Sequence, residues 1–163
     1  MTSSKEKMQV FTSSENWYSI NYPRMWDMEV FDNIPSFFDP ISGNGALQIF
    51  STRLGHNLPD EDLLNKYPFL GGKTLTDKML LFLAEQNVNI KDIQIKEFIL
   101  NNQLASAHEF FSENRFFMVS MMQKKDIFLL ILYNSLKAPS DEEAAIITEM
   151  VKSINIIDKP EDE

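Results

Sequence analysis

Apolar and polar residues alternate through Trp17-Tyr18-Ser19-Ile20-Asn21-Tyr22, and the alternation stops at Pro23. Aromatic and β-branched residues favour a strand here, and proline, which donates no ladder hydrogen bond, should end it. Trp26 is then expected to fold back over the sheet end. Residues 8–12 and 27–31 read as further short strands, set off by Asn16 and Pro23, so the start of the chain predicts a hairpin and an extension. Phe37-Phe38-Asp39-Pro40 and Ser42-Gly43-Asn44-Gly45 read as a sharply turning loop before a strand at 46–53.

The period then changes. Asp60-Glu61-Asp62 follow Pro59 and place acids on the first turn of a short helix carrying Leu63, Leu64 and Tyr67, which Pro68 should end. Thr76 is expected to cap a second helix running to about Asn87, with Met79, Leu80, Leu83 and Ala84 as its apolar stripe. Four strand-like runs follow near 93–100, 104–112, 115–123 and 126–133, and their short polar connectors predict an antiparallel meander. The third run is apolar at both parities, and Ile127 to Leu132 has no polar break, so both faces of that sheet must be covered. Ser140 with Glu143 matches a capping box, and Ile147, Met150, Val151 and Ile154 keep helical spacing after it. The expected class is α+β: an antiparallel sheet with helices packed on both faces, an α/β/α sandwich.

Composition narrows the range of functions. The chain has 163 residues, 44% of them hydrophobic and 12% aromatic. That is material for one core burying roughly 70% of the unfolded surface. A single domain is expected over 8–157, between a flexible N-terminus at 1–7 and an acidic tail at 158–163. The net charge of -9 disfavours nonspecific binding to nucleic acid or to an anionic membrane. Without cysteine there is no disulfide, thiolate metal site or cysteine nucleophile. No apolar h-region opens the chain and no stretch is long enough to span a membrane, so a cytoplasmic location is expected.

Taken in order, Trp17-Tyr18-Ser19-Ile20-Asn21-Tyr22-Pro23 with Trp26, the strand Gly45-Ala46-Leu47-Gln48-Ile49, the hairpin-rich second half and the final Met150-Val151-Lys152-Ser153-Ile154 resemble the Mog/PsbP-like superfamily over residues 9–157. The resemblance is nearest to uncharacterised bacterial members and implies an antiparallel sheet sandwiched between helices. Relatives of this kind include a Ran-binding nuclear-import factor, extrinsic photosystem subunits and bacterial secretion adaptors or lipoproteins. Protein binding is their shared theme, and no family binding residue matches a position here.

Motifs for chemistry are sparse. Gly71-Gly72-Lys73-Thr74 resembles the end of a phosphate-binding loop, but the first glycine of that motif would fall on Tyr67, so a turn before the second helix is the better reading. His56 could share a cleft with Asp60 or Asp62, and His108 lies mid-strand beside Glu109. Neither pair has metal-ligand spacing, so both histidines read as structural or solvated. Asp60, Glu61 and Asp62 read as helix N-terminal charge. There is no Gly-x-Ser-x-Gly elbow and no Gly-x-Gly-x-x-Gly fingerprint. Trp17, Tyr22, Phe50 and Tyr67 read mainly as core, as do Met118, Met121 and Met122. Phe37 and Phe38, as large loop residues, need either a pocket or a partner.

These readings lead to a non-enzymatic protein-binding or adaptor module without cofactor or metal. Another protein is the expected partner, met by a sheet edge or by the loops around Pro35–Gly45 and His56–Gly72. Phe37, Phe38, His56 and Tyr67 are the candidate contact residues. The alternatives are a small-ligand carrier with an apolar pocket between sheet and helices, and a motif-free enzyme using His56 or His108.

Overall fold

The computed structural model describes residues 7–41, 43–54 and 61–157. Two antiparallel sheets carry the fold. The smaller runs β1-β2-β10, built from β1 (Met8–Thr12), β2 (Tyr18–Pro23) and the two-residue β10 (Asn155–Ile156). The larger has seven strands in the order β3-β4-β5-β9-β8-β7-β6. Its members are β3 (Asp27–Phe31), β4 (Ile34–Phe38), β5 (Gly45–Arg53), β6 (Glu97–Leu100), β7 (Gln103–Ser112), β8 (Arg115–Lys124) and β9 (Ile127–Ser135). The helices are α1 (Glu61–Lys66), α2 (Leu75–Glu85) and α3 (Asp141–Lys152), and a 3₁₀ turn at Pro68–Gly71 joins the first two.

Hairpin chemistry sets the register. Asp32-Asn33, Asn101-Asn102 and Glu113-Asn114 occupy two-residue turns with φ between 52° and 66°. Asn and Asp tolerate that left-handed region, and its twist matches the flanking strands. Gly45 starts β5 because a Cβ there would lie 2.1 Å from the Asn134 carbonyl oxygen across the β5–β9 ladder.

Alternation along β9 divides the core. Ile127, Leu129, Ile131 and Tyr133 cluster with Ile147 and Met150 of α3 and with Tyr18, Ile20 and Tyr22 of the small sheet. Phe128 and Leu130 cluster with Met79, Phe82 and Leu83 of α2 and with Phe69 and Leu70 of the 3₁₀ turn. Successive strand residues point to opposite sides of a sheet, so the unbroken apolar run of β9 feeds both clusters. Trp26 is buried in the first of them.

Several local expectations change. Residues 34–38 form β4 instead of a loop, because Asp32-Asn33 supplies a hairpin turn immediately before them, well ahead of the glycine-rich segment. The cap of α2 is Thr74, whose hydroxyl accepts from Asp77 N at 3.0 Å. Thr76 lies inside the first turn and donates from N (2.9 Å) and Oγ1 (2.7 Å) to the Glu97 carboxylate. Strand β6 begins at Glu97, and Ile93 and Ile95 pack beside α2 before it. At α3 the Ser140 hydroxyl accepts from Glu143 N at 3.1 Å. The Glu143 carboxylate receives instead the Tyr133 hydroxyl (2.9 Å) and Asn44 N (3.3 Å), tying the loop before β5 to sheet and helix.

Candidate binding cleft

Beside α3 the packing leaves a cleft of about 210 Å³ over β7 and β8. Its floor is made of small side chains, Ala105 and Ala107 on β7 and Ser120 on β8, with Met118 and Met122 to either side of Ser120. Phe98 and Leu100 of β6 border it at the sheet edge, and Ile147, Thr148, Val151 and Lys152 of α3 form the opposite wall. Ser106 borders it too, and its buried hydroxyl is the side-chain oxygen without a partner among the described residues. Strand alternation turns that hydroxyl away, because Ser106 pairs with Met121 of the α2 cluster while its neighbours Ala105 and Ala107 face the cleft. Only the Ser106 main chain therefore reaches the space.

At the cleft α3 lies closer to the small sheet than to β7 and β8. Its closest main-chain approach is to β2, whereas that of α2 is to β7 and β8. Polar bonds hold α3 there. Asn21 N donates to Ser153 Oγ at 2.9 Å, and Asn101 Nδ2 donates to the Lys152 carbonyl at 2.8 Å. Gln103, fully buried, donates to the Ile154 carbonyl at 3.2 Å and accepts from Ile156 N. Tyr133 is pushed up to about 12 by burial, reinforced by the Glu143 carboxylate it bonds. Lys78, also buried, donates from Nζ to the Gly72 carbonyl at 2.6 Å and is lowered from the ordinary lysine range by burial, against the pull of Asp77.

The residues singled out from sequence do not come together. Phe37 has no solvent exposure; it packs on Tyr22 (ring centroids 4.8 Å) and Phe11 (5.7 Å), so it belongs to the core and has no surface to offer a partner. Phe38, next on β4, is half-buried and pairs with Asp27 and Ala46. Tyr67 is half-buried in the other cluster, its ring 4.3 Å from Phe50 and 6.2 Å from Phe69. It borders a groove of about 750 Å³ with a mixed lining, in which Trp17, Phe31 and Phe50 meet Glu29, Asp32 and Lys66. His56 and Asp60 lie outside the described residues. His108 sits half-buried on β7 opposite Val119. Among the described residues no cluster of His, Asp and Glu is placed to hold a metal ion, and no helix is long and apolar enough to cross a membrane.

The cleft residues left one signal in the sequence, small Ala105 and Ala107 alternating on a strand whose other parity carries Leu104 and Phe110. Small residues on one face mark a place where something approaches the sheet closely or nothing fills it.

No protein-family model and no curated protein matches the chain. Solved structures do. A crystal structure from Bacteroides thetaiotaomicron superposes with a TM-score of 0.58 at 17% identity, covering 96% of this chain and 50% of that one, so this chain spans half that protein's length. The solution structure of cyanobacterial PsbP (CyanoP) from Synechocystis matches with a TM-score of 0.58 at 13% identity, covering 93% of each chain. Similarity at these identities concerns architecture, and it gives this chain an α+β, PsbP-like fold with antiparallel sheets.

Proposed function

We infer that this protein is a non-enzymatic protein-binding module that seats an apolar anchor side chain of its partner in the cleft beside α3. The cleft carries the inference. Its facing side chains are apolar except for Ser120, Thr148 and Lys152, so it can hold a hydrocarbon group and offers little to orient a reacting one. Its volume of about 210 Å³ falls below the ~300–1,000 Å³ usual for small-molecule sites, which favours one or two side chains over a whole ligand. Anchors of this kind supply much of the energy of protein interfaces. The wider architecture is read as the α/β/α sandwich of the Mog/PsbP-like superfamily, supported by α3 and α2 sharing core clusters with opposite parities of β9.

The test is a peptide-display selection on the wild-type protein, repeated on Ala107→Trp, which places an indole over the exposed lip of the cleft. Wild-type protein should enrich peptides with a large apolar residue, and the variant should lose them while keeping its melting temperature. Enriched peptides that bind both proteins equally would refute the site.

The same apolar lining favours one second reading, a carrier of a small apolar molecule. Native mass spectrometry of gently purified protein separates the two. A co-purifying small molecule that Ala107→Trp excludes would put the carrier in place of the protein-binding module.

A further inference from the structure

Strand β6 ends the seven-stranded sheet, and among the described residues nothing pairs with its outer edge. The hairpin to β7 dictates which groups point there. Asn101 and Asn102 (φ 54° and 63°) form a two-residue turn between Leu100 and Gln103. In such a hairpin the flanking pair exchanges both main-chain hydrogen bonds, and bonded and non-bonded pairs then alternate. Leu100 and Phe98 therefore direct their N–H and C=O groups inward to β7, while Ile99 and Glu97 direct theirs outward. Natural edges are commonly blunted by charge, proline or a bulge. Here the one acid on the strand, Glu97, is bonded to Thr76, and Phe98 (44% exposed) and Ile99 (67%) are left uncovered on opposite sides.

Edge and cleft are contiguous. Phe98 and Leu100 belong to both, and on that side the next strand inward places Ala105 opposite Phe98, with Ala107 following it in the cleft floor. A long side chain on the same side of an added strand packs against Phe98 and Leu100, the residues of β6 that border the cleft, and extends from there towards it. Two lysines flank this path in a chain of net charge -9, against the single acid Glu109 farther along β7 on the same face: Lys96 immediately precedes β6, and Lys152 is the charged residue on the cleft wall.

We propose that the partner binds as an extended peptide that adds an eighth strand at β6, placing an apolar side chain in the cleft and acidic residues beside Lys96 and Lys152. Main-chain hydrogen bonds to Ile99 and Glu97 supply affinity, and the cleft supplies selectivity for every second residue. The proposal rests on the reading of the cleft as an anchor site and adds to it the conformation and charge of the partner.

The experiment measures fluorescence anisotropy of short labelled peptides in which Phe alternates with Thr between aspartates, titrated with the full chain. Ile99→Pro removes one outward N–H, a change an edge position accommodates, and should weaken binding about fivefold to tenfold. Methylating alternate peptide amides should abolish binding in one phase of the alternation and spare it in the other; this arm needs no protein variant and stands even where Ile99→Pro fails to fold. Lysine-flanked peptides should bind more weakly than aspartate-flanked ones, and Lys152→Glu should narrow that gap. Binding that Ala107→Trp abolishes but that ignores Ile99→Pro and amide methylation overturns strand addition alone. Binding indifferent to Ala107→Trp, or no binding, overturns the anchor site as well.

Discussion

Strands β7 and β8 show opposite volumes to their two sides. Towards α2 they present Phe110, Val119 and Met121, closed over by Phe82 and by Phe69, whose ring lies 5.5 Å from Phe82 and 6.1 Å from Phe128. Towards α3 they present Ala105, Ala107 and Ser120, with Met118 and Met122 only to either side of Ser120, and α3 lies closer to β2 than to them. The two sides share backbone, register and hairpin turns, so side-chain volume and helix placement account for the difference. Close packing stabilises the first side, and incomplete packing gives the second a place to bind. Polar bonds around α3, from buried Gln103 and Glu143 and from exposed Asn101, hold the helix in position without filling the space beneath it.

The strongest challenge to this contrast is Phe128→Ala, which opens a void in the closed side. It should cost about 3–5 kcal/mol, read by chemical denaturation; a loss below ~1 kcal/mol would mean that this side is as loose as the other.

A subtler probe on the closed side is Lys78. Its folded-state pKa is depressed, so between that value and the ordinary lysine range the unfolded chain binds more protons than the folded one, and stability rises with pH across this window. Wild-type protein should therefore gain stability from neutral towards alkaline pH relative to Lys78→Met. Parallel pH profiles for the two proteins would show that burial of this ammonium carries no penalty.

The smallest effect is expected at the cleft. Ser120→Val adds apolar volume where space exists, so denaturation should show a change within about 0.5 kcal/mol or a gain of up to ~1–2 kcal/mol. A clear loss would mean that the floor is already tightly packed. This comparison with Phe128→Ala separates a binding surface from an ordinary core defect.

Much of the larger sheet was legible from local pattern. Polar connectors such as Asn101-Asn102 and Glu113-Asn114 identified the antiparallel run from β6 to β9, because the turn type is written in residues that accept positive φ. Ser140 marked the start of α3 through its cap. Phe37 and Phe38 misled because Asp39-Pro40 and the glycines beyond them carry strong turn chemistry, while the hairpin that makes β4 uses Asp32-Asn33, a quieter signal. Thr76 is the expected cap of α2, and the reach of the Thr74 hydroxyl to Asp77 N, a matter of three-dimensional geometry, puts the cap two residues earlier. The two-residue β10 exists through its pairing with β2 and its bond to Gln103, partners far away in sequence.

Sequence by itself determined the alternation of apolar residues, the turns and the helix starts, since these depend on neighbours within a few positions. It thereby specified an α+β chain whose central strands need cover on both sides. Tertiary structure decided what no local pattern encodes: that Phe37 is core, that β6 is an edge with an apolar face, and that α3 rests on β2. Position and tilt of a helix follow from long-range bonds such as Asn21 to Ser153 and Gln103 to Ile154. A cleft is the volume left between elements so placed, and it appears only when all of them are in position.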